Sequence, residues 1–159
     1  MSFFSIEGSG ILSNILTVVL NRPNVKLTNN TVVINYRSTP IGVTSILSFT
    51  IGLEFTNYSS QQNFVTDFNG RYYNGKEWFE LAYYHDLFSP SFKLESKNIA
   101  TTKFDLYPIM KELPLPLIEL YSRRVHIDLR YKIGRKQKAV FINNLRANEV
   151  SNPLDKHFF

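Results

Sequence analysis

With 159 residues, 43% of them hydrophobic, the chain is sized for one domain with a single core. Its net charge is +5, it has no cysteine, and Val, Ile, Thr, Tyr, Phe and Trp make up 56 of its residues against only four Ala. Disulfide scaffolds, thiolate metal sites, iron–sulfur clusters and cysteine nucleophiles are excluded, and the weight of β-formers argues against an all-helical, coiled-coil or disordered chain.

In chain order, Met1 to Gly10 combines Phe3, Phe4 and Ile6 with Gly8-Ser9-Gly10 and reads as an arm with apolar anchors and a flexible joint. The apolar run from Ile11 to Leu20 is interrupted by Ser13 and Asn14, so neither a signal peptide nor a membrane span is expected. Its spacing suits a short helical turn or a strand from about Leu16, and periodicity over so few residues does not choose. Val25 to Leu27 and Thr31 to Arg37 are expected to form two strands joined at Asn29-Asn30, with Val32, Ile34 and Tyr36 on one face. From Ser45 to Asn57 the alternation is clear. Leu47, Phe49, Ile51, Leu53 and Phe55 point to a core, and Ser48, Thr50, Gly52, Glu54 and Thr56 point to water.

Asn63 to Tyr73 puts Phe64, Phe68 and Tyr72 on one parity, turns at Asn74-Gly75 and returns over Trp78 to Tyr84. His85 to Ser96, with Pro90, reads as a loop or ragged edge, and Asn98 to Leu106 extends again. Pro108, Pro114 and Pro116 leave room only for a short helix around Ile109 to Leu113. In the last hairpin Val125, Ile127, Leu129, Tyr131 and Ile133 alternate with Arg124, His126, Asp128, Arg130 and Lys132, Gly134-Arg135 makes the turn, and Lys138 to Asn143 returns. The expected fold is all-β: an antiparallel β-sandwich of about seven or eight strands with one short helix and extended termini. Its divisions are an arm at 1–10, a sandwich domain at 11–145 and a polar tail at 146–159 ending in Phe158-Phe159.

Reactive chemistry finds little support. There is no nucleophile elbow, phosphate-cradling glycine loop or dinucleotide fingerprint, and His85, His126 and His157 lie far apart without ligand spacing. His85-Asp86 and the pair Glu77 and Glu80 are the nearest approaches to an acid–base pair, and strand parity separates the members of each. A non-enzymatic protein without metal or cofactor is expected. Asn29-Asn30-Thr31 and Asn57-Tyr58-Ser59 match the glycosylation pattern, which has no meaning without secretion.

The positive charge is local. Residues 1 to 80 are balanced, whereas Arg123, Arg124, Arg130, Lys132, Arg135, Lys136 and Lys138 cluster around a single acid, Asp128. Such a patch suits nucleic acid, an acidic membrane surface or an acidic protein, and equally a solvated strand face guarding a sheet edge. No aromatic platform accompanies it, because Tyr131 has core parity. The aromatics Tyr73, Trp78 and Tyr84, on the outward parity of the other hairpin, fit a protein interface.

The order of elements resembles the type 2 late-embryogenesis-abundant (water-stress and hypersensitive response) β-sandwich. Ser45 to Ser59 (SILSFTIGLEFTNYS) matches its long alternating strand and Asn-rich corner, Phe68 to Gly75 (FNGRYYNG) its Asn-Gly hairpin, and Thr102 to Ile142 its strand, short helix and final hairpin. The matches span roughly two thirds of the chain. Two departures stand out: the family's Asn-Pro corner reads Asn57-Tyr58, and His85 to Ser96 is a long insertion. Sandwiches of this kind occur as ring or connector proteins in the neck and tail of tailed phages, including crAss-like phages. The resemblance implies a structural virion subunit, present in the host cytoplasm during assembly, with other subunits as partners and no catalytic residues. A homo-oligomeric ring tied by Phe3, Phe4, Phe158 and Phe159 is the expected arrangement, with nonspecific DNA contact through the basic hairpin as the alternative and no membrane contact.

Overall fold

A computed structural model of the chain describes residues 23–42, 44–83, 91–109, 113–115 and 122–151. Among them the regular structure is entirely β: β1 (Val25–Ser38), β2 (Thr44–Asn57), β3 (Asn63–Tyr73), β4 (Trp78–Ala82), β5 (Phe92–Leu94), β6 (Ile99–Pro108), β7 (His126–Ile133), β8 (Lys136–Ile142) and β9 (Leu145–Glu149). The expected arm at 1–10, the run from Ile11 to Leu20, Tyr84 and residues 152–159 of the expected tail lie outside the described residues. So do 110–112 of the expected helix, and Leu113 to Leu115 beyond them is extended, with Pro114 bridging Ser45.

The long strands exist because their apolar residues recur every second position. Along β7, Val125, Ile127, Leu129, Tyr131 and Ile133 are all buried and the residues between them are not. Phe49, Ile51, Leu53 and Phe55 do the same on β2. Parity fails at three bulges, each adding one residue to one strand of a pair. Thr28 is the extra residue in β1, so the two strands expected around Asn29-Asn30 are one continuous strand. Leu47 is extra in β2, is only half-buried, and leaves Ile46 to take the core position. On β3 the register slips between Thr66 and Asn69, where Asp67 adopts φ 55°. Phe64 is thereby turned outward and is 47% exposed, while Val65, Phe68 and Tyr72 share the core.

The sheet is mixed, with the order β8-β7-β3-β4-β6-β2-β1-β9 and β5 paired to β3. All pairings are antiparallel except β1 with β9, where Val32 to Tyr36 run parallel to Leu145 to Glu149. The segment expected to begin the polar tail is therefore an edge strand, extended by Val150 N–H donating to the Tyr36 carbonyl (2.8 Å). This sheet cannot be flat. Strands β2 and β7 are four places apart, about 19 Å at ~4.8 Å per strand, yet the rings of Phe55 and Tyr131 lie 5.3 Å apart. Phe49 on β2 meets Tyr72 on β3 at 5.0 Å, and Phe68 on β3 meets Phe104 on β6 at 4.9 Å. The chain bends back so that its two halves bury one aromatic core between them.

The corner from β2 to β3 is held by a buried polar knot. Asn57 Nδ2 donates to the carbonyls of Gln61 (2.9 Å), Leu94 (3.2 Å) and Glu95 (3.1 Å). Its Oδ1 accepts from the Ser59 N–H (3.0 Å), the Ser59 hydroxyl and Asn63 Nδ2 (3.3 Å). The Asn57 side chain is fully enclosed, so the folded chain offers no acceptor for a glycan there. Asn57→Ala leaves several buried groups without partners and is expected to cost at least about 3 kcal/mol in chemical denaturation. A second outcome concerns the tyrosines, since desolvation raises the hydroxyl pKa of both Tyr83 and Tyr131 above the free value of 10.0. The unfolded chain loses those protons first, so the contribution of these two tyrosines to stability is complete below pH 10 and declines as pH rises beyond it. Ultraviolet titration of tyrosinate alongside denaturation checks the direction.

Candidate functional site

The two outer surfaces of the bent sheet differ in chemistry. Over β9, β1, β2 and β6 many of the outward residues form a polar ladder, and Ile99 at the start of β6 stands exposed beside it (64%). Asn148 Nδ2 donates to Asn35 Oδ1 (3.4 Å), Asn35 Nδ2 donates to Ser48 Oγ (3.0 Å) and Thr50 Oγ1 (2.8 Å), and Thr50 Oγ1 donates to Asp105 (2.6 Å). Thr28 extends the ladder, donating to Glu54 at 2.9 Å. Gly52 lies in this surface under Thr31, whose Oγ1 would sit 2.5 Å from any Cβ placed there. A shallow groove of about 330 Å³ opens above it between Asn30 and Thr102. Such a surface satisfies its own hydrogen bonds and water covers the rest.

Over β4, β3, β7 and β8 one end of the outward face is aromatic. Register brings them together: Tyr73 pairs with both Trp78 and His126, and Phe141 lies beside His126 through its pairing with Asp128. The Tyr73 and Trp78 rings are 5.2 Å apart, and the His126 ring lies 4.9 Å from Tyr73, 5.1 Å from Trp78 and 4.3 Å from Phe141. His126 Nδ1 is 3.3 Å from the Arg124 carbonyl. Arg71 stacks its guanidinium 4.2 Å from the centre of Trp78 and donates to Asp128 at 2.9 Å; Arg130 reaches the same carboxylate at 3.4 Å. Trp78 is 43% exposed and Phe141 59% exposed, so a continuous ring surface faces outward. Tyr73 and Trp78 were expected at a partner surface; His126 and Phe141 were not, because only strand pairing places them beside the other two.

The seven basic residues do not share one face. Arg123, with φ 58°, and Arg124 precede β7, about 30 Å along the strand from Ile133 at ~3.3 Å per residue. Arg130 and Lys132 lie on the aromatic face in ion pairs with Asp128 and Asp67, the latter at 3.1 Å. Arg135, Lys136 and Lys138 line a separate groove with Lys26 of β1. Phe3, Phe4, Tyr84, Phe158, Phe159, His85 and His157 lie outside the described residues. Among the described residues, no three His, Asp or Glu side chains gather at metal-holding distance, and no helix is long and apolar enough to cross a membrane.

No protein-family model matches the sequence, and comparison with curated proteins gives no match. Because their rings are part-exposed, Trp78→Ala and Phe141→Ala are each expected to cost less than about 1 kcal/mol. Tyr72→Ala, one position from Tyr73 but directed into the core, is expected to cost about 3 to 5 kcal/mol. Denaturation followed by circular dichroism separates the two classes.

Proposed function

We propose that the chain is a non-enzymatic structural subunit that joins its neighbours through the aromatic face of β4, β3, β7 and β8. The observation that carries this reading is the asymmetry of the two outer surfaces. One side closes its hydrogen bonds internally, while the other leaves Trp78, Phe141 and the half-buried Tyr73 and His126 at the surface. Contiguous exposed aromatics flanked by Arg are the composition of protein contact surfaces, and burying them against a partner supplies apolar area without unpaired polar groups.

The body beneath is a two-layer β-sandwich of the late-embryogenesis-abundant type, supported by the ring contacts between β2 and β7 and by the resemblance of the element order. A ring or connector in the neck or tail of a tailed phage is the setting that the resemblance implies. In that setting the partners are further copies of this chain and other virion proteins, and the mechanism is mechanical: a stiff sheet pair holds the contact face in a fixed orientation. Arg71 and Asp128 orient Trp78 on that face, the guanidinium clamped between ring and carboxylate.

Sedimentation velocity and native mass measurement test the reading. The full chain is expected to form a defined oligomer, and the double variant Trp78→Ala/Phe141→Ala is expected to sediment as a folded monomer with an unchanged circular dichroism spectrum. A wild-type chain that stays monomeric at high concentration, or an oligomer indifferent to both substitutions, overturns it.

A further inference from the structure

We propose that the open seam between β1 and β8 is a docking groove for an extended acidic segment of a partner protein, taken up as an added strand. This surface is distinct from the aromatic face, and the inference does not depend on that reading. Strand β8 ends the sheet order, and among the described residues its outer edge has no strand beside it. Strand β1 pairs with β9 only over Val32 to Tyr36, which leaves the edge of Val25 to Thr31 without a partner strand among the described residues. Between these edges lies a groove of about 640 Å³, within the size range of ligand clefts, lined by Val25 and Lys26 on one side and Ile133, Arg135, Lys136 and Lys138 on the other.

Charge and backbone chemistry together select the occupant. Among the described residues four cations line the groove with no carboxylate, and none of the four makes an ion pair; Lys26 rests over the Tyr58 ring at 5.6 Å. The electrostatic demand is for an anion. An unpaired strand edge presents N–H donors and C=O acceptors in alternation, which another polypeptide strand satisfies in full. A phosphate backbone offers acceptors alone and would leave the carbonyls unmet, and among the described residues no aromatic ring lines the groove to stack a base. A second copy of this edge would bring its own lysines against these. The cations thus exclude self-pairing while admitting a strand that carries Asp or Glu. Val25 and Ile133 give the alternate, apolar side chains of that strand a place to rest.

The test uses the full chain and a fluorescein-labelled peptide that alternates valine with aspartate or glutamate, read by anisotropy. Three competitors accompany it: the same peptide with amides for carboxylates, the same peptide N-methylated at every second residue, and a single-stranded oligo-dT of equal charge. The acidic peptide is expected to bind, with at least tenfold loss for the amide and N-methylated forms and weaker competition by oligo-dT. Lys136→Glu/Lys138→Glu and, separately, Arg135→Ser are expected to weaken binding at least tenfold and threefold while melting temperature holds. Oligo-dT binding as tightly as the peptide, N-methylation without effect on the wild-type chain, or no peptide binding at all overturns the proposal.

Discussion

Two residues, Asn143 and Asn144, separate β8 from β9, and those strands occupy opposite ends of the sheet order. Three Cα–Cα steps reach at most about 11 Å, whereas eight strands laid flat would hold the outer two more than 30 Å apart at ~4.8 Å per strand. The sheet must therefore roll until its edges approach, and the rest of the molecule follows from that closure. Rolling brings Phe55 against Tyr131 and Phe49 against Tyr72, which makes one core instead of two half-covered faces. It also fixes which surface is outer, and so where the aromatic and polar residues of the outward parity come to lie. Where β9 stops pairing with β1, no further strand lies along β1 among the described residues, and the basic groove sits there.

Much of this was legible in the sequence wherever alternation ran unbroken. The eight residues of β7 obey period two from end to end, because nothing interrupts their pairing with β3 on one side and β8 on the other strongly enough to displace them. The expected hairpins at Asn74-Gly75 and Gly134-Arg135 also stand, both glycines having positive φ, 99° and 60°. Alternation fails at a bulge, and a bulge has no reliable composition. Asp67 in the left-handed region and Leu47 as an inserted apolar residue look like ordinary strand residues, so Phe64 reads as core when it is surface. The parallel strand at Leu145 to Glu149 was illegible for another reason: four of its five residues are exposed at an edge, and its sequence has no inward face to detect.

The aromatic face was half legible. Tyr73 and Trp78 flank one turn, and their neighbourhood follows from hairpin geometry alone. His126 and Phe141 come from strands fifty or more positions further on, and only the β3–β7–β8 register sets them beside Tyr73. The basic residues show the opposite effect. Seven cations close in sequence looked like one patch, yet alternation sends Arg130 and Lys132 outward to carboxylates and Lys136 and Lys138 to the seam, opposite Ile133 and Tyr131. Local density of charge says little about a surface when successive residues point to opposite sides.

The pairing of Val32 to Tyr36 with Leu145 to Glu149 joins segments 113 residues apart. Such a contact forms only after Leu145 to Glu149 have been made, and closing a loop of that length slows folding. Until β9 arrives, the outer edge of β1 stays bare over its most apolar stretch, Val32 to Ile34. The backbone N–H and C=O groups of that edge are open to any other extended chain until β9 covers them.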